Sequence, residues 1–164
     1  MQFRGRGHLS GLLFAALGLL LILSACGSRN IAVQLDAGSG VIFSEQNAQK
    51  FAFPFSPKPG GYWTPTEAQV KILEAALPAY LQDNSQLFYR QPPVWERLNG
   101  YNRQYVGLIE ANKQVIFANF FCQDMGVDWR KEPVEILDGG ECYFQVKFDI
   151  ASQSFFSIIV NGEA

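Results

Sequence analysis

Six carboxylates, Asp124, Asp128, Glu132, Glu135, Asp138 and Glu141, fall within 18 residues of this chain. Two carboxyls held about 5–10 Å apart can cleave a glycosidic bond, one as acid and the other as base or nucleophile. A tighter cluster can hold calcium, but the spacing here departs from the ligand pattern of an EF-hand loop. Arg130 and Lys131 also sit among the acids, so the run reads first as a solvated loop and strand edge. The only histidine is His8, close to the N-terminus. Beyond that point, Ser-His-Asp and Cys-His catalysis, histidine-ligated zinc and imidazole pH switching are excluded. Cys122 and Cys142 have neither an imidazole to activate them nor C-x-x-C spacing. Glycines beside an acid, as in Asp138-Gly139-Gly140, can cradle an anion, but between two short strands they supply hairpin geometry. Nothing matches a P-loop or a dinucleotide fingerprint, and no cofactor or metal is expected.

The N-terminus carries a different chemistry. Arg4 and Arg6 precede an almost purely apolar run from Leu12 to Leu23, and the small residues Ser24 and Ala25 lead to Cys26. This order is that of an export signal, and its core is shorter than the roughly 20 residues of a spanning helix. An uncleaved membrane anchor is the alternative, because the uncharged stretch from His8 to Gly27 nearly spans a bilayer when tilted. Leu23-Ser24-Ala25-Cys26 resembles the lipobox of bacterial lipoproteins. The resemblance implies cleavage before Cys26, diacylglycerol on its thiol and often a third acyl chain, such as palmitate, on its amine. Two or more chains hold a protein stably at a bilayer. Gly27 follows the cysteine, where Asp would resemble an inner-membrane retention signal, so the implied location is the outer membrane, or otherwise the cell membrane, on the periplasmic side.

With residues 1–25 removed as a signal peptide, 26–50 read as tether and N-terminal segment, and 51–164 as one globular domain. The mature chain keeps 11 of the 13 Lys/Arg and all 15 Asp/Glu, a formal charge of −4. No basic patch is visible along it, so nucleic acid and charge-driven binding to anionic lipid are disfavoured. Lipid takes Cys26. The remaining even pair in an exported chain, Cys122 and Cys142, reads as a disulfide.

Several elements follow from pattern. Short apolar pieces at 31–33 and 41–43 could pair as edge strands. Thr64-Pro65-Thr66-Glu67 fits a capping box with Thr64 at the N-cap. Val70, Leu73, Leu77, Tyr80 and Leu81 then mark one helical stripe, and Pro78 should kink or end the helix near its last turn. Trp95 and Leu98 should dock on the core. From Tyr101 the period becomes two. Strands are expected at 103–110, 114–122, 133–137, 141–149 and 155–160, with turns at Ala111-Asn112-Lys113, Asp138-Gly139-Gly140 and Ala151-Ser152-Gln153. In the fourth strand Cys142, Phe144, Val146 and Phe148 share one face, while Tyr143, Gln145, Lys147 and Asp149 share the other.

This order predicts an α+β fold, one helix packed on a four- to five-stranded antiparallel meander sheet, similar to the cystatin-like roll. The Gln104-Tyr105-Val106-Gly107 stretch is one residue short of the cystatin inhibitory hairpin and lies inside a strand, which argues against protease inhibition. One sheet face takes the helix. The other would carry Tyr143, Gln145 and Lys147, with Phe117 and Asn119, a mixed aromatic and polar set suited to binding. It could instead be covered from within, by 51–55 or by Trp63 and Trp95. The expected function is a non-enzymatic, lipid-anchored envelope module that binds another envelope protein or a ligand. The alternative is a carboxylate-dependent hydrolase acting on envelope glycans.

Overall fold

The structure is a computed structural model and describes residues 1–2, 29–51, 58–124 and 126–163. Leu23-Ser24-Ala25-Cys26 and residues 52–55 lie outside the described residues. Seven strands form one sheet: β1 (Ile31–Leu35), β2 (Gly38–Ile42), β3 (Gly61–Trp63), β4 (Asn102–Glu110), β5 (Lys113–Phe121), β6 (Tyr143–Asp149) and β7 (Ser154–Val160). The order across it is β1-β2-β4-β5-β6-β7, with β3 also on β4. The sheet is therefore larger than the expected four or five strands, and it is not a pure meander. β2 runs parallel to the first half of β4, while β3 pairs antiparallel with the second half. The segment read as a tether thus supplies two strands and a short helix, α1 (Glu45–Ala48).

Alternation builds the β4–β7 hairpins as the sequence indicated. Ala111 and Asn112 take the positive φ that a two-residue turn requires, and β4 and β5 pair over nine residues. The expected strand at 133–137 does not form. That segment crosses the sheet face and spends its backbone groups on side-chain partners described below.

The long helix, α2, spans Glu67–Asp83. Its N-cap is Thr66, two residues later than expected. Thr66 Oγ1 accepts from Gln69 N at 3.3 Å and Gln69 Oε1 accepts from Thr66 N at 2.9 Å, a complete capping box. Pro78 lies inside the helix, which continues to Asp83. Val70, Leu73, Leu77 and Leu81 are fully buried against Tyr105, Ile116, Phe120, Phe144 and Val146. Burying each such side chain contributes about 1.5–3 kcal/mol before entropy. Leu98 is buried in this core, and Trp63 and Trp95 pack partly against it.

The opposite face is covered as well. Ala48 and Phe51 sit over Val106, Leu108 and Phe117, with Phe51 edge-on to Phe43 at 4.9 Å. Further along, residues 123–124 and 126–139 form a strap whose Val134 and Trp129 cover Phe121 and Tyr143. Both ends of the strap are closed by the Cys122–Cys142 disulfide. Cys142 lies in a 3-10 turn before β6 and packs with Phe121 and Tyr143, not on the Phe144 side that alternation assigned to it.

Candidate functional site

Of the five residues assigned to an open binding face, Asn119, Gln145 and Tyr143 hold the strap, whereas Phe117 packs under Phe51 and Lys147 pairs with Glu110. Gln104, Asn119 and Gln145 stand side by side across β4, β5 and β6. Gln104 Nε2 donates to the carbonyls of Trp129 (2.6 Å) and Glu132 (2.8 Å), and its Oε1 accepts from Val134 N (2.9 Å). Asn119 Nδ2 donates to Val134 O at 2.8 Å. Gln145 bridges Asn119 to Asn161, whose amide binds the carbonyls of Ile136 and Asp138. This row satisfies backbone groups that a non-strand segment over a sheet would otherwise leave unpaired. Phe117, Asn119 and Tyr143 are buried. Tyr143 donates to Gln123 Oε1 at 3.0 Å, and Lys147 pairs with Glu110 at 2.7 Å. The space left beneath the strap, beside Phe117, Asn119 and Gln145, is about 10 Å³. That holds one water at most.

Four of the six acids have separate partners. Asp124 accepts from Gly126 N, and Glu132 pairs with Lys50. The Lys131 ammonium donates to Asp128 and holds its carboxyl below the usual range. Glu135 and Asp138 are exposed. Glu141 is buried and accepts from Tyr89 N (3.1 Å), Arg90 N (2.8 Å) and Arg97 Nη2 (2.8 Å), which ties 89–97 to the disulfide. Among the described residues, no group of three or more His, Cys, Asp or Glu side chains could hold a metal ion.

A polar site with accessible space lies between the β1–β2 turn and α2. A cleft of about 280 Å³ is lined by Gln34, Asp36, Lys71 and Glu74, with Leu35 and Ala37. It is small for a ligand pocket, which more often holds about 300–1,000 Å³. Its floor is anchored by a buried charge cluster. Arg103 is fully buried, with Nη1 donating to Tyr101 O (2.6 Å) and Nη2 to Leu98 O (2.9 Å). Arg103 Nε lies 3.2 Å from Glu74 Oε2, an ion-pair distance, but off the line needed for a hydrogen bond. Tyr105 Oη donates to Glu74 Oε1 at 2.7 Å. Burial raises the Glu74 pKa, and Arg103 and Tyr105 only partly offset that. Burial and the adjacent carboxylate push the Tyr105 hydroxyl well above its ordinary value, so it stays a donor. Gly38, at φ +115°, leaves room for the guanidinium, since a Cβ there would lie 2.7 Å from Arg103 Nη1.

Acceptors on Asp36 and Glu74, a cation on Lys71 and an amide on Gln34 suit a ligand that both donates and accepts hydrogen bonds. Sequence reasoning missed this site because its residues come from strand, turn and helix at unrelated spacings. Glu74 on the apolar stripe side of α2 was the one available signal. The chain matches no family model, no curated protein and no solved structure. Among the described residues, no helix is long and apolar enough to cross a membrane.

Proposed function

We propose that the chain is a lipid-anchored envelope protein whose α+β domain binds, without turnover, a hydroxyl-rich ligand of the envelope at the Glu74 cleft. The observation that carries the reading is Leu23-Ser24-Ala25-Cys26, placed five residues before β1. The Cys122–Cys142 bridge supports an oxidising compartment. β1 leads from the lipidated end toward the cleft over about 16 Å, so the cleft would face away from the bilayer. For α2 on the β4–β7 hairpins, the cystatin-like roll stays part of this proposal as a likeness of fold.

A benzophenone side chain placed at Ala75, in the cleft wall, tests it in intact cells, with Asp83 at the far end of α2 as the control position. Capture of an envelope component from position 75 and not from 83 is expected. Equal capture from both, or none, contradicts the reading.

A hydrolase acting on envelope glycans is the second reading, favoured by Glu74 and Asp36 lining one cleft and by the raised pKa of Glu74, which suits a general acid. Release of soluble sugar from purified envelope glycan, lost in Glu74→Gln, would establish it. No release by the unaltered protein removes it.

A further inference from the structure

We infer that a basic groove at the start of β1 seats the domain on the anionic headgroups of the membrane that holds its lipid anchor, an inference that rests on the anchoring proposed above. Along the sequence the cations look scattered, and the mature chain is acidic. The fold gathers Arg29, Lys50, Arg130 and Lys131 around one groove of about 510 Å³. Lys50 is paired with Glu132 and Lys131 with Asp128. Among the described residues, Arg29 and Arg130 are in no ion pair. Four cations thus stand against two carboxylates on a chain whose overall charge has the opposite sign.

Position selects the partner. Arg29 follows Cys26 by three residues, at most about 11 Å of extended chain. The groove is therefore held at the bilayer surface, within reach of headgroup phosphates. A built joint fixes its orientation. Asn30 Nδ2 donates to Arg130 O at 2.8 Å, and Asn30 Oδ1 accepts from Ser44 N at 3.2 Å and Asn47 Nδ2 at 3.0 Å. The start of β1, α1 and the strap are bolted together, so the groove keeps a fixed place where the chain enters the domain. The Arg130 guanidinium lies over the Trp129 ring at 4.2 Å, which holds it extended at the rim. Acyl chains combined with clustered cations are a recurrent pair of membrane signals.

The test uses the full chain purified with its acyl groups, in vesicles of phosphatidylcholine alone or mixed with phosphatidylglycerol. Amide exchange at 45–51 and 129–132 should slow in the phosphatidylglycerol vesicles only, and high salt should reverse the effect. Each cation near such a surface multiplies partitioning about fivefold. Arg29→Gln with Arg130→Gln should therefore reduce the preference for phosphatidylglycerol about 25-fold, with unchanged thermal unfolding. Equal exchange in both vesicle types by an acylated chain overturns the groove alone, and so does equal protection by inorganic phosphate without vesicles. The intact mass reports the anchor separately. An unacylated chain that still shows salt-sensitive, Arg29- and Arg130-dependent binding upholds the groove and removes the anchor.

Discussion

The buried Arg103–Glu74 pair can be dissected by a double-mutant cycle. Arg103 is fully buried and Glu74 nearly so, at 0% and 12% side-chain exposure, so the guanidinium cannot recover hydration when its partner is removed and the carboxylate recovers it only in part, on the cleft side. Glu74→Leu leaves a buried guanidinium with two carbonyls and no counter-charge. Arg103→Met leaves a carboxylate with only Tyr105. Breaking such a pair costs about 3–5 kcal/mol, whereas replacing both members by apolar side chains is often near neutral. The double variant should therefore be more stable than either single one, with a coupling of about 2 kcal/mol or more. Urea unfolding of the purified chain is the assay. With a slope of about 2 kcal/mol per molar, each single change should move the midpoint by roughly 2 M. The pH dependence gives a second signature. Burial raises the Glu74 pKa, so the folded state holds that proton more tightly than the unfolded state. Its contribution to stability is full below the unfolded carboxyl's ordinary pKa and is lost as pH rises through the folded one. Arg103→Met removes the strongest opposing effect, so the loss should extend to higher pH than in the unaltered protein. Additive single losses, or the same pH profile in both proteins, would refute this reasoning.

Three further outcomes follow. Replacing Cys122 and Cys142 by Ala frees a bridge spanning 20 residues, and unfolding should become easier by about 3 kcal/mol, with faster amide exchange first at 123–139. Unchanged strap exchange would show that the Gln104–Asn119–Gln145 row holds it alone. Glu141→Ala strands two backbone N–H groups and Arg97, at a cost of about 3–5 kcal/mol by chemical unfolding, and a loss below 1 kcal/mol would contradict the latch. Gly107→Ala sets a methyl against the Trp63 carbonyl oxygen, so β3 should detach from β4 at a cost of about 1–3 kcal/mol, read as quicker exchange at 61–63.

Alternation from 103 to 160 made β4 to β7 legible, because the period of two survives wherever one face is buried. The Cys122–Cys142 pairing was legible for a simpler reason, since these two are the only cysteines left once Cys26 is set aside. The helix start slipped by two residues because Thr64-Pro65 and Thr66 both fit the N-cap rules, and only the reach of Gln69 decides between them. β3 and the parallel β2–β4 pairing join segments about 45–65 residues apart by three or four residues each, which leaves no local trace. The strap escaped notice because its stability comes from amide side chains on three strands. The Glu74 cleft and the basic groove share that origin, since the fold alone brings Asn30 to Arg130, 100 residues later.

Lipid anchoring is tested most directly by the covalent state of the N-terminus, read as the intact mass of the native protein extracted from membranes and of its first proteolytic peptide. The expected result is a chain beginning at Cys26 with diacylglycerol on the thiol. A chain beginning at Met1 with Cys26 unmodified would contradict it.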